Sequence, residues 1–141
     1  MPWQVEKARD AAPAIHIDAM LAQGAPRQAE LAAATARGDL WLAGDDAGPY
    51  AFLCRDDACF FARPFVALLV VAPGFRRRGL ASAMLAAIET EVSAPLWTST
   101  NRSNAAMRAL LAGRGYESMG EVRGLDPGDP ELFFRRRKTH P

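Results

Sequence analysis

The chain has 141 residues, half of them hydrophobic and 23% charged, so one domain spanning residues 1–141 has material for a real core and extended disorder is excluded. A formal net charge of +1 supplies no global reason to bind nucleic acid or an anionic membrane. No apolar run approaches the ~20 residues needed to cross a bilayer, and Met1 to Glu6 lack the charged-then-apolar layout of an export signal, which leaves the cytoplasm as the expected location.

Trp3 to Lys7 alternates apolar and polar residues and predicts a short first strand. Asp10 can cap a helix running to about Met20, with Pro13 tolerated in its first turn, and Gly24-Ala25-Pro26 breaks it. Arg27 to Arg37 reads as a second helix ended by Gly38. Leu40 to Ala43 and Tyr50 to Arg55 flank a Gly-Asp-Asp-Ala-Gly-Pro turn, a hairpin signature. Phe65 to Val71 is a near-continuous apolar strand, central because both of its faces are apolar, with Pro64 placed just before it. A long helix over Gly79 to Val92 follows, then a strand at Leu96 to Thr100 and a helix at Ala105 to Ala112 ended by Gly113 to Gly115. Two last strands are expected at Gly120 to Gly124 and Leu132 to Arg136. The order predicts a mixed α/β sheet in one layer, antiparallel early and with a strand–helix–strand crossover in the middle.

Cys54 and Cys59 are the only cysteines, on either side of the turn-like Asp56-Asp57. With no export signal and no third ligand nearby they read as reduced structural thiols, the alternatives being a disulfide or a metal site.

Chemistry concentrates in Leu68 to Ala81. An apolar run stops at Pro73, a short loop gathers Arg76, Arg77 and Arg78, and Gly79 opens a helix rich in alanine and leucine. That order sets free backbone N–H groups and positive charge at a helix N-terminus, a seat for phosphate or pyrophosphate. The lysine of a nucleotide-hydrolysing loop is missing. The bland alternative is a solvated basic turn, and the second basic run, Arg135 to Lys138, reads as a solvated edge or tail.

Val71-x-Pro73-x-x-Arg76-x-x-Gly79-x-Ala81 resembles the signature of the GNAT superfamily of acyl-CoA-dependent N-acyltransferases, and the element order is similar along essentially the whole chain. A second segment, Asn104-x-x-Met107-x-x-Leu110-Leu111-x-x-x-Gly115-Tyr116, is similar to the family's Asn-x-x-Ala-x-x-Leu-Tyr-x-x-x-Gly-Phe stretch. The resemblance implies a mostly antiparallel sheet of six to seven strands with helices on both faces and splayed central strands. It implies acetyl-CoA as co-substrate, with its pyrophosphate on Arg76, Arg77, Arg78, Gly79, Ala81 and Ser82. Its pantetheine would lie along Leu69 to Val71, where a backbone N–H of Val70 or Val71 could polarise the thioester carbonyl. Asn104 would touch the pantetheine arm, a role compatible with capping its helix. An acceptor amine would attack the thioester directly, with no cysteine nucleophile and no metal.

Two catalytic groups common in the family have no counterpart. The position of its proton-donating tyrosine is Leu111, leaving Tyr116, Ser99, Ser103 or water as candidates. Phe65 to Val71 holds no ionisable side chain, so a water relay is expected for the base, with His16, Asp56, Asp57, Glu121 and Asp126 unranked beside it. Tyr116 reads first as a core residue, and His16 first as a structural or surface one. Phe60, Phe61, Phe65 and Phe75 read as core and pocket wall. The acidic loop Asp126 to Glu131 is either a lure for a cationic amine or a capped turn. A non-catalytic acyl-CoA sensor and a nucleic-acid-binding domain are the rival readings, and a homodimer stays open.

Overall fold

The computed structural model describes residues 3–21 and 27–137. They fall into two compact units, Met1–Asp56 with Ala67–Glu91, and Asp57–Val66 with Val92–Pro141.

The first unit contains β1 (Gln4–Lys7), α1 (Ala12–Ala19), α2 (Gln28–Arg37), β2 (Leu40–Asp45), β3 (Gly48–Arg55), the greater part of β4 (Phe65–Val71) and α3 (Leu80–Glu91). β1 pairs antiparallel with β2, and β2 with β3, in a hairpin whose register slips between Ala43 and Gly44. Gly44 is required there, since a Cβ would fall 2.0 Å from the Gly48 carbonyl oxygen. Ala14 and Ile17 of α1, Leu31 and Ala34 of α2, and Leu40, Phe52, Cys54, Val70 and Ala72 form one buried cluster. Ala51 and Leu53 are also fully buried but one residue out of phase with Phe52, and therefore face the other side of the sheet. α3 packs there, with Leu80, Met84, Leu85 and Ile88 spaced as one helical face. β3 is thus covered on both sides.

The second unit opens with Asp57–Val66 and holds β5 (Trp97–Asn101), α4 (Ala105–Gly113), β6 (Tyr116–Val122) and β7 (Glu131–Arg136). β7 pairs antiparallel with both β5 and β6. The start of β4 pairs in parallel with β5 through Phe65↔Trp97 and Val66↔Thr98, reinforced by Trp97 N–H to the Pro64 carbonyl at 2.9 Å and Thr98 Oγ1 to the Val66 carbonyl at 3.0 Å. Phe60 gathers Phe65, Trp97 and Phe133 around itself at centroid distances of 5.1–5.2 Å. The seven strands follow the order β1-β2-β3-β4-β5-β7-β6, mostly antiparallel as expected.

Several boundaries differ from the sequence expectation. α1 begins at Ala12, because the Asp10 carboxylate accepts from the Ala12 N–H and ends the preceding turn there; the expected break at Gly24 to Pro26 lies outside the described residues. β6 starts at Tyr116, not Gly120, and stops before Gly124. Only its first residue is buried, so the strand is set by backbone pairing to β7 and carries no side-chain alternation to read. β5, expected from Leu96, begins at Trp97.

Neither cysteine is in a disulfide, and Cys54 is buried while Cys59 is exposed. Burial pushes the Cys54 thiol up to about 12 from an ordinary value of 9.0. The unfolded chain therefore ionises this thiol first, and the neutral thiol's contribution to stability is lost as pH rises from about 9 towards 12. A thiol reagent at pH 8 should label one cysteine per native chain, Cys59, and two in denaturant; equal labelling of both in the native state would contradict the buried assignment.

Candidate functional site

β4 ends at Val71 and α3 begins at Leu80, so eight residues make the turn between them. Ala72 is tied by its N–H to the Tyr50 carbonyl at 2.7 Å, and Phe75 N–H closes back onto the Ala72 carbonyl at 3.1 Å. Three positive φ values, 91° at Gly74, 63° at Arg77 and 85° at Gly79, coil the chain into α3. A Cβ at Gly79 would meet only Trp3 Nε1, at 4.0 Å, so within the protein it is the backbone angle that favours glycine here.

Arg76, Arg77 and Arg78 are all exposed, and the first turn of α3 contains no acidic residue. Arg76 Nε reaches back to the Val71 carbonyl at 3.5 Å. Ala83 is the residue whose N–H closes the first helical turn, onto the Gly79 carbonyl at 3.0 Å. The amides of Leu80 and Ala81 precede it and have no intrahelical acceptor, with the half-buried Ser82 in the same turn. A helix N-terminus carries about half a positive charge, and side chains of the same sign there are unfavourable by roughly 0.3–1 kcal/mol each. Three guanidinium groups at that end make an arrangement that a polyanion would relieve.

A feature absent from the sequence reading supports this loop. Tyr50 stacks on Phe75 with centroids 3.8 Å apart and planes 7° from parallel, and Trp3 meets Tyr50 edge-on at 6.1 Å. Trp3 Nε1 donates to the Arg78 carbonyl at 2.7 Å, and the Arg78 guanidinium lies 5.2 Å over the Phe75 ring. The Tyr50 hydroxyl donates to Asp45 at 2.8 Å, which raises its pKa. These residues come from β1's approach, β3 and the loop itself, and no local pattern links them.

Leu69 and Val71 are half-buried and Val70 buried. The parallel ladder of β4 stops at Val66, so these three residues lie outside it.

In the second unit, Asn104 caps α4, its side-chain oxygen accepting from Met107 N–H at 3.1 Å. Tyr116 is buried at the start of β6, and Ser99 sits half-buried in β5 opposite Phe133. Ser103 donates to Asp129 through its hydroxyl at 2.6 Å and its N–H at 3.0 Å, holding that carboxyl below the ordinary range. Asn101 Nδ2 donates to the Asp126 carboxylate at 2.9 Å and the Asp129 carbonyl at 3.2 Å. The acidic loop is accordingly a capped turn. Glu121 lies between Arg123 and Arg102, and its pKa is lowered, chiefly by the Arg123 hydrogen bond. Leu111 is fully buried. His16, on α1 of the first unit, and Asp57 are exposed, and Asp56 is partly so. Among the described residues no three His, Cys, Asp or Glu side chains gather as a metal set, and no helix is long and apolar enough to cross a membrane.

The model of the acetyltransferase (GNAT) family matches residues 24–116. A solved GNAT-family acetyltransferase from Bacillus cereus ATCC 10987 is 30% identical, with 99% of this chain and 100% of that one covered and a TM-score of 0.90. The ribosomal-protein-S18-alanine N-acetyltransferase from Escherichia coli is 19% identical over 95% and 92% of the two chains, with a TM-score of 0.80. A chain of the NatC complex bound to Gag peptide and CoA is 17% identical over 98% and 100%, with a TM-score of 0.75. Comparison with curated proteins gives no significant match.

Replacing the cap, Asn104→Ala, should cost about 1 kcal/mol of stability, read from urea denaturation, because the Met107 N–H then loses its acceptor.

Proposed function

Because the chain belongs to the acetyltransferase (GNAT) family, we propose that it is an N-acetyltransferase that moves an acetyl group from acetyl-CoA to an acceptor amine. The observation that carries this reading is the loop before α3, where three exposed arginines share a helix N-terminus with no acidic residue. A pyrophosphate fits that donor set, being doubly charged and able to accept from several amides and guanidinium groups at once. In this reading Arg76, Arg77, Arg78, Gly79, Ala81 and Ser82 bind the pyrophosphate. The edge of β4 from Leu69 to Val71 orients the pantetheine, and a Val70 or Val71 N–H faces the thioester carbonyl. Asn104, whose side-chain oxygen caps α4 by accepting from Met107 N–H, keeps an NH2 able to donate to a ligand.

The acyl donor arrives activated as a thioester, so the protein's task is to orient it and to manage protons. An ordinary amine has a pKa near ~10 and must lose a proton to attack. β4 has no ionisable side chain, and buried Leu111 occupies the place of a proton donor. Water relays fit both transfers, and a thiol with a pKa near ~8.5 is a good enough leaving group to depart with little help.

The same two positions favour the second reading, a non-catalytic acyl-CoA sensor. Free-thiol release in the presence of amines and peptides separates the two: turnover with any acceptor supports the enzyme, and binding without turnover across a broad panel supports the sensor.

Acetyl-CoA at a hundredfold excess over its Kd should raise the melting temperature by roughly 5–10 °C. Arg76→Glu and Gly79→Trp should remove most of that shift. No shift in the wild-type protein would overturn the coenzyme reading.

A further inference from the structure

Of the three loop arginines, Arg78 is gripped at both ends. Its carbonyl accepts from Trp3 Nε1 at 2.7 Å, and its guanidinium lies 5.2 Å over Phe75. The two gripping rings are joined through Tyr50, which stacks on Phe75 and meets the edge of Trp3. Tyr50 is itself pinned to the β2–β3 turn, since Asp45 Oδ1 accepts from both its hydroxyl and the Ala47 N–H.

Among the described residues no peptide bond is cis, and in a trans peptide C=O and N–H point in opposite directions. Holding the Arg78 carbonyl against the indole therefore directs the Gly79 N–H away from it. A ring face also holds a guanidinium without cancelling its charge, as a carboxylate partner would.

Resting on the acetyl-CoA reading above, we propose that Trp3 is a positioning residue for pyrophosphate binding. Its indole N–H orients the Arg78–Gly79 peptide, and the Trp3, Tyr50 and Phe75 rings together steady the Arg78 guanidinium. One backbone donor and one full positive charge are thereby ordered before the coenzyme arrives, which lowers the entropy cost of binding.

The test compares two donors, acetyl-CoA by isothermal titration and S-acetylpantetheine, which lacks pyrophosphate and nucleotide, by ligand-observed NMR. Trp3→Phe keeps an aromatic ring and removes the N–H. It should raise the acetyl-CoA Kd about three- to tenfold, the equivalent of one hydrogen bond, and leave the S-acetylpantetheine Kd unchanged. Phe75→Leu, which removes the platform under the guanidinium, should show the same donor-selective loss and serves if Trp3→Phe does not fold. An unchanged acetyl-CoA Kd in a folded variant, or an equal loss for both donors, overturns the positioning role while leaving the coenzyme reading intact. A wild-type protein that binds neither donor overturns the coenzyme reading and this role together.

Discussion

A helix that begins beside three like-charged side chains runs against its own dipole, and the loop between β4 and α3 accepts that conflict. Asp or Glu is the favoured company for a helix N-terminus, yet α3 has none in its first turn and is preceded by Arg76, Arg77 and Arg78. The surrounding structure holds this arrangement in place. The Ala72 amide is tied to β3, the apolar face of α3 from Leu80 to Ile88 anchors the helix to the sheet, and three rings steady the turn. Two of the three positive φ angles fall on glycine, and the third, at Arg77, is borne by a residue that would not choose it.

The second unit shows a different economy. Three of its acidic residues are engaged with the protein itself: Asp129 with Ser103, Asp126 with Asn101, and Glu121 with Arg102 and Arg123. Hydrogen bonds and ion pairs keep Asp129 and Glu121 ionised to lower pH than usual, which suits them as turn and surface anchors more than as bases. β4 lacks any ionisable side chain and Leu111 is buried, so neither position supplies a group that could carry a proton. Family and fold are shared by proteins of differing chemistry, and what distinguishes them lies in sites built on the common scaffold.

Much of the fold is legible from one dimension because its signals are local. β4 is an unbroken apolar run, and the structure places it over Phe65–Val71 as read. Gly38 ends α2 in the left-handed conformation, and Asn104 caps α4, both from residue types whose backbone or side-chain preferences act within a turn. The start of β6 escaped because an exposed edge strand needs no apolar alternation; its position comes from β7, to which its backbone pairs. The two-sided Asp126 to Glu131 loop was undecidable for a related reason. A lure and a capped turn have the same composition, and the Asn101 and Ser103 bonds that distinguish them span more than twenty residues.

By itself, then, the order of residues carried the family resemblance and determined the strand and helix succession and the cluster of cations and amides at the start of α3. The succession and the cluster follow from preferences acting over a few neighbouring positions. Tertiary structure alone decided what supports that cluster, because Trp3 and Arg78 are separated by 75 positions, and Tyr50 and Phe75 by the rest of β3, residues 56–64 and β4. Side-chain stacking and a single indole hydrogen bond have no sequence period. They exist only once β1, β2 and β3 have paired and brought those rings to the same end of the sheet.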